Sequence, residues 1–117
     1  MEKIYEQTML FDFYGELLTE HQRSIYEDAV YNDMSLGEIA QDRGISRQGV
    51  HDLIKRCDKI LQDYESKLHL VERFAKAKAT VGEIEALTRM DEVETPEKLQ
   101  ARLQEIRKFS EELLEEL

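Results

Sequence analysis

The sequence has few of the residues that interrupt helices or cross-link chains: one proline, five glycines and one cysteine. The lone cysteine, Cys57, cannot form a disulfide within the chain. No apolar run approaches the roughly 18 residues that suggest a membrane-spanning helix. Residues 1–6 are charged and lack the apolar core of a signal peptide. We therefore expect a cytoplasmic protein without a membrane span.

Positive charge is also scarce. Lysine and arginine number 16 against 26 aspartate and glutamate residues, so the formal net charge is −10. Affinity for the phosphate backbone of nucleic acids comes mainly from lysine and arginine. The net charge therefore weighs against loose adhesion to DNA or to anionic membranes. A nucleic-acid-binding function requires a local basic surface, which the sum of charges does not exclude.

The patterns that are present favour helices. Charged residues make up 36% of the chain and hydrophobic residues 41%, which is typical of helices with one buried stripe. Apolar spacing predicts a first helix over residues 4–18. Thr19 and Ser35 are each followed three residues later by glutamine or glutamate, the capping box that begins a helix. Ser46 can cap a fourth helix. Strand alternation is absent from the sequence, so the predicted fold class is all-α.

The fourth helix is expected to be long. Neither glycine nor proline interrupts residues 50–79, so we predict one helix over residues 46–78, with a break near residue 62 as the alternative. Its apolar positions follow a heptad-like seam. The seam consists of Val50, Leu53, Cys57, Leu61, Tyr64, Leu68, Val71 and Ala75.

Two further helices complete the predicted chain. Thr80, with a glutamate three residues later, predicts the start of a fifth helix. The acidic stretch Asp91–Glu94 is expected to be a loop. Thr95 and Pro96 then predict the start of a last helix, because proline is tolerated at the first helical position. That helix has a heptad-like pattern over residues 99–117.

Residues 35–50 satisfy the conditions for a helix-turn-helix. Ala40 is small enough for close contact between two helices, and Gly44 can adopt the left-handed conformation that a tight turn uses. Val50 and Leu53 can hold the second helix against the first. An ordinary pair of packed helices is the alternative. The predicted helix-turn-helix core consists of Ile39, Ala40, Gly44, Ile45, Val50 and Leu53, with Ile54 beside it.

The stretch from Leu18 to Arg56 resembles region 4 of bacterial sigma factors. In that family a helix beginning Leu-Thr precedes the helix-turn-helix, as Leu18 and Thr19 do here, and Ser-Leu-x-Glu-Ile-Ala opens it, as at residues 35–40. The resemblance implies a sigma region 4-like helix-turn-helix module. The chain has no room for the sigma-factor region that binds the −10 element and core polymerase.

A second resemblance covers nearly the whole chain. Residues 10–19, 35–40 and 45–56 are similar to the YlxM family of small helix-turn-helix proteins. The family is commonly encoded beside the signal recognition particle GTPase and its receptor. The resemblance therefore implies a bacterial cytosolic protein with a regulatory or accessory role in that pathway. The family pattern often has alanine where this chain has Gly49, and glycine weakens a helix by up to about 1 kcal/mol.

The early residues of the fourth helix are the candidate nucleic-acid interface. Arg47 could bond guanine and Gln48 adenine, while the later basic residues would lie near phosphates. Residues 46–60 contain four basic and two acidic side chains, so their net charge is +2 in a chain of −10. A solvated helix face is the alternative, and Asp52 would repel phosphate. The candidate nucleic-acid-binding residues are Arg47, Gln48, His51, Lys55, Arg56 and Lys59.

The sequence shows no constellation for catalysis, a metal or a cofactor. His21, His51 and His69 lie on separate predicted helices with no spaced cysteine or carboxylate cluster. Cys57 falls on the apolar seam, which favours a buried hydrophobe over a nucleophile. We therefore expect a protein that is not an enzyme, with no catalytic residue, metal or cofactor.

Two functions remain open at the level of sequence. In the first, residues 1–60 form a regulatory nucleic-acid-binding module, with DNA or the signal recognition particle RNA as target. In the second, the chain is an accessory factor that binds the signal recognition particle protein and no DNA, since a fold alone does not fix function. In both, residues 61–117 form a helical extension that makes a homodimer.

Overall fold

The computed structural model describes residues 2–89 and 94–117. Within these residues the chain forms six α-helices, one 3-10 turn at Gly15–Leu17 and no strand, which confirms the all-α prediction. The helices are α1 Glu2–Tyr14, α2 Glu20–Val30, α3 Leu36–Arg43, α4 Arg47–Leu68, α5 Leu70–Leu87 and α6 Pro96–Glu116.

Side-chain caps set the starts of four helices. The Thr19 and Ser35 hydroxyls accept hydrogen bonds from backbone N–H groups three residues on, and both form complete capping boxes. Ser46 accepts from the N–H of Gly49 at the start of α4. Thr95 caps α6, with Pro96 in the first turn. These four predicted helix starts, at Thr19, Ser35, Ser46 and Thr95, are confirmed.

The middle of the chain differs from the sequence-based prediction. The predicted helix over residues 46–78 is wrong, because α4 ends at Leu68 and His69 takes a left-handed conformation before α5. The predicted start at Thr80 is also wrong. Thr80 lies inside α5, where its hydroxyl donates to the Lys76 carbonyl instead of capping a helix. The loop expected at Asp91–Glu94 lies outside the described residues except for Glu94.

The chain divides into two compact units, Met1–Val71 and Glu72–Leu117. The boundary predicted after residue 60 lies inside α4, which continues for eight more residues. The first unit therefore contains α1, α2, α3 and the whole of α4, and it carries the helix-turn-helix.

Two apolar clusters build the core of the first unit. One joins α1, α2 and α4 through Leu10, Tyr14, Leu18, Tyr26, Cys57 and Leu61. The other joins α2, α3 and α4 through Ile25, Ile39, Ala40 and Val50. Leu53 and Ile54 pack against both clusters. The inner face of α4 therefore supports every other helix of this unit.

A polar link reinforces the contact between α2 and α3. Arg43 donates to the Ser24 hydroxyl at 2.7 Å and to the Asp28 carboxylate at 2.6 Å. The hydrogen bond from Arg43, together with one from Asn32, lowers the pKa of Asp28. Arg43, one of the chain's 16 basic side chains, is therefore engaged in contacts within the fold.

The second unit is an antiparallel pairing of α5 with α6. Near one end, Lys76 donates to Glu116 at 2.7 Å. Near the other, Arg102 donates to Glu94 at 2.6 Å and to the Leu87 carbonyl at 3.3 Å. Neither helix contains a buried residue. Polar contacts at the two ends therefore hold a pair of helices that has little core of its own.

The Cys57 thiol is expected to be almost inert in the folded protein. Its side chain has 0% exposure, and burial raises the pKa of the thiol to about 11. Because the thiolate is the reactive form, alkylation by iodoacetamide at pH 8 should be about a hundredfold slower in the native chain than in guanidinium chloride. Equal rates in the two conditions would contradict the buried position.

Candidate nucleic-acid interface

The helix-turn-helix is formed by α3, a short turn and α4. Gly44 has φ 68°, a left-handed conformation that glycine adopts without steric cost. The N–H groups of Gly44 and Ile45 both donate to the Ala40 carbonyl, which closes the turn at the end of α3. Ser46 then caps α4. The turn thus fixes where the first residues of α4 lie relative to α3.

The residues expected in the helix-turn-helix core do not all occupy it. Ile39, Ala40 and Val50 are buried, and Leu53 is half-buried between the two clusters. Ile45 is different, with 37% of its surface exposed. It lies in the turn between the left-handed Gly44 and the cap of α4, where its side chain is not enclosed by either helix.

The exposed face of α4 carries three of the candidate residues in one stripe. Successive helical residues point about 100° apart, so the positions of Gln48, Lys55 and Lys59 lie within about 40° of one another. This stripe is nearly opposite the buried positions Val50 and Cys57. All three candidate residues are exposed. Lys55 and Lys59 therefore present their ammonium groups to solvent from one side of the helix.

The two arginines of α4 flank this stripe on opposite sides. Arg47 and Arg56 occupy positions about 180° apart around the helix. The Arg47 side chain passes the start of α3, since a Cβ placed on Gly37 would lie 3.8 Å from its Nε. Both arginines are exposed. The structure thus spreads the basic residues over half of the helix circumference.

Asp58 does not belong to the exposed face. Its carboxylate accepts hydrogen bonds from the Tyr26 hydroxyl at 2.6 Å and from the Gln7 amide at 3.0 Å. Burial and the Asp58 carboxylate together raise the pKa of Tyr26. The net charge of +2 derived from the sequence for residues 46–60 includes the negative charge of Asp58. Its position four residues after Ile54 and three before Leu61, both on the apolar side of α4, is the signal that could have placed it inward.

The basic side chains of this face remain available to a ligand. No described residue forms a hydrogen bond or ion pair with Arg47, Lys55, Arg56 or Lys59. Four positive charges therefore face one carboxylate, that of Asp52, on the exposed half of α4 between residues 46 and 60. The local surface is basic in a chain whose net charge is −10.

The Asp52 carboxylate lies beside two of the candidate residues. The Gln48 amide donates to the Asp52 carboxylate at 2.9 Å. His51 Nδ1 lies 3.6 Å from the same carboxylate, beyond hydrogen-bond distance. The contact with Gln48 uses one of the two amide hydrogens and leaves the amide oxygen as an acceptor. Gln48 is therefore held in one orientation by its neighbour on the next turn.

A cleft of about 580 Å³ lies between α1 and α2, lined by Phe11, Asp12, Gly15, Glu16, Arg23 and Glu27. Among the described residues, histidine, cysteine and carboxylate side chains form no group of three that could hold a metal ion. Within the same residues, no helix combines the length and the apolar character needed to cross a membrane.

Comparison with known proteins identifies relatives along most of the chain. A family model, UPF0122, described as "Putative helix-turn-helix protein, YlxM / p13 like", matches residues 1–106. A UPF0122 protein of Acetivibrio thermocellus is 50% identical over 84 residues, 72% of each chain. One of Desulforamulus reducens is 41% identical over 101 residues, 86% of each chain. One of Clostridium botulinum is 53% identical over 73 residues, 62% of this chain and 67% of that protein. The resemblance to the YlxM family is thereby confirmed, and the chain belongs to the UPF0122 family of helix-turn-helix proteins.

Proposed function

We propose that this protein is a regulatory factor that binds duplex DNA through the exposed face of α4 and acts by binding, without catalysis. The observation that carries the proposal is the set of four basic side chains on that face, free of partners among the described residues. The inward position of Asp58 strengthens it, because only Asp52 opposes those four charges. The family's helix-turn-helix description supports it too.

The shape of the face favours duplex DNA over duplex RNA. The major groove of B-form DNA is about 12 Å wide and admits an α-helix, whereas that of A-form RNA is too narrow for side chains to read. In this arrangement Lys55 and Lys59 lie toward phosphates, and Gln48 offers an oriented amide to base edges. The acidic remainder of the chain would keep binding confined to this face and sensitive to salt.

The second candidate is an accessory factor of the signal recognition particle that binds its protein and no DNA. The net charge of −10 favours this alternative, because it opposes approach to any polyanion. The exposed apolar side chains of the second unit, such as Val81 and Leu103, offer a surface for a protein. In this view the helix-turn-helix serves as a scaffold, and binding to the particle's RNA is a further outcome that a titration would reveal.

We also propose that α6 contributes to a homodimer. Leu103, Leu114 and Leu117 are exposed by 65%, 72% and 94%. Neither α5 nor α6 contains a buried residue. Pairing with a second copy would cover these leucines along the heptad-like pattern of residues 99–117. A two-fold dimer would also present two copies of α4, as a palindromic DNA site requires.

Removing two positive charges from the face should strongly weaken DNA binding. We expect Arg47→Ala combined with Lys55→Ala to weaken binding to duplex DNA by roughly a hundredfold, because one base contact and one phosphate contact are lost. Fluorescence anisotropy at two salt concentrations measures the affinity, and circular dichroism should show unchanged helicity. Signal-recognition-particle RNA and the particle's protein are titrated in parallel.

The matched control is Lys78→Ala combined with Lys108→Ala. It removes the same charge from exposed positions of α5 and α6, so its affinity should stay within about threefold of the wild type. Undiminished DNA binding by the Arg47 and Lys55 variant would refute this assignment of the face. Binding of the wild type only to the particle's protein would support the second candidate.

Neutralising Asp52 should strengthen the same interaction. We expect Asp52→Asn to raise the affinity for duplex DNA about threefold to tenfold at low salt, because a carboxylate no longer faces phosphate. The asparagine can still accept the hydrogen bond from Gln48. Glu105→Gln makes the same change of net charge on an exposed position of α6 and should have no such effect. Equal affinities for both variants and the wild type would count against a DNA-facing Asp52.

The homodimer is tested by molar mass. Multi-angle light scattering at micromolar concentration should give twice the chain mass of 13.8 kDa. Leu103→Lys combined with Leu114→Lys should weaken the dimer at least about tenfold, because charges would replace apolar contacts. Leu17→Lys alters a leucine of similar exposure, 54%, in the first unit and should leave the mass unchanged. A monomer mass for the wild type would reject the dimer.

A further inference from the structure

Asp52 is an acidic residue on a face that is otherwise basic. The other exposed charged side chains of α4 between residues 46 and 60 are lysine and arginine. A carboxylate at this position repels phosphate and therefore lowers the affinity of the face for any nucleic acid. Affinity alone gives no reason for its presence. A contribution to specificity does, because a protein can give up affinity in order to discriminate between partners.

The Asp52 carboxylate fixes the direction of the Gln48 amide. Gln48 Nε2 donates to Asp52 Oδ1 at 2.9 Å, and the two residues lie on adjacent turns of α4. An ionised carboxylate accepts hydrogen bonds and donates none. If the amide turned over, its oxygen would face the carboxylate and the two acceptors would repel each other. The nitrogen end of the amide is therefore held toward Asp52, and Oε1 is held away from it.

The amide in this orientation has one donor and one acceptor left. Asp52 takes one of the two Nε2 hydrogens, and no described residue donates to Oε1 of Gln48. His51 Nδ1 is the other group near the same carboxylate oxygen, but it lies 3.6 Å away and makes no hydrogen bond within the described residues. A glutamine without such a neighbour can present both hydrogens, or either end of the amide. Asp52 thus reduces the hydrogen-bond patterns that Gln48 can match.

One donor beside one acceptor is the pattern that complements adenine. In the major groove adenine presents N7 as an acceptor and N6 as a donor, whereas guanine presents two acceptors, N7 and O6. Oε1 of the fixed amide would face one of those acceptors on guanine. Thymine and cytosine each present a single hydrogen-bonding group in this groove. Of the four bases, adenine alone can accept from the remaining N–H and also donate to Oε1.

We propose that Gln48 and Asp52 act as a pair that reads an adenine of duplex DNA, with Gln48 in contact with the base and Asp52 positioning the Gln48 amide. This role rests on the DNA-binding function proposed above, and it assigns to the face a preference for an A·T pair at one position. Asp52 then has two opposite effects. It lowers the affinity for every duplex, and it raises the preference for one base pair.

The role of Gln48 is tested by selection from a library of duplexes with randomised positions, using the full chain. The wild type should select an A·T pair at a position where Gln48→Ala has no preference. Fluorescence anisotropy then compares the selected duplex with one that carries G·C at that position and with one that carries 7-deaza-adenine, which lacks N7. Each change should weaken wild-type binding roughly tenfold and alter the binding of Gln48→Ala less than about twofold.

The role of Asp52 is tested by two substitutions that differ in hydrogen-bonding capacity. In Asp52→Asn the new amide can accept from Nε2 or donate to Oε1, so both directions of the Gln48 amide become available. The ratio of affinities for the A·T and G·C duplexes should fall from roughly tenfold to about twofold, although both duplexes are bound more tightly. Asp52→Glu keeps a carboxylate that only accepts, and its ratio should stay above about fivefold. Because the position is exposed, circular dichroism should show unchanged helicity in both variants.

Lys59→Ala is the matched control for a contact with phosphate. It should weaken binding to the A·T and G·C duplexes by the same factor, because phosphate contacts carry no base preference. An undiminished ratio in Asp52→Asn would overturn the positioning role of Asp52, and a preference that survives Gln48→Ala would overturn the contact with adenine. In both cases DNA binding itself would stand. Failure of the wild type to bind any duplex would instead refute the proposed function and the pair together.

Discussion

Every helix of the first unit depends on the burial of one face of α4. Val50 belongs to the cluster that α2 and α3 complete, while Cys57 and Leu61 belong to the cluster that α1 completes. Leu53 and Ile54 contact both clusters. A helix that supplies the centre of two cores cannot rotate without disrupting both, because protein interiors are close-packed. The exposed face of α4 is consequently presented in a fixed orientation, which is what a surface needs in order to match the repeat of a nucleic acid.

The distribution of charge follows from the same arrangement. Asp58 and Glu65 are carboxylates of α4 that turn toward the core, where tyrosine hydroxyls donate to them. Arg43 is withdrawn from the surface by Ser24 and Asp28. The exposed charged side chains of α4 between residues 46 and 60 are all basic apart from Asp52. The formal net charge of −10 therefore describes the chain but not this face.

Local features could be predicted from the sequence, and long-range ones could not. The caps at Thr19, Ser35, Ser46 and Thr95 depend on residues a few positions apart, so the sequence contains the whole interaction. The N–H of Leu70, just after the break at His69, donates to the Tyr14 hydroxyl, and apolar spacing within α4 and α5 does not reveal this contact. The candidate residues on the exposed half of α4 follow from helical periodicity. The helical position of Asp58 also indicates the inward side of α4, but its hydrogen-bond donors lie in α1 and α2, and only the tertiary structure identifies them.

The absence of buried side chains in α5 and α6 has a thermodynamic consequence. Amide hydrogens are protected according to the free energy needed to open the segment that contains them, and this energy is largest where side chains are enclosed. Amides of α6, and of α5 from Glu72 onward, should accordingly exchange with solvent well before those around Val50 and Cys57. Heating would then unfold the chain in two stages, and a single transition midpoint would average the different stabilities of the two units. If a second copy covers the leucines of α6, only the midpoint temperature of the first unfolding stage would depend on protein concentration.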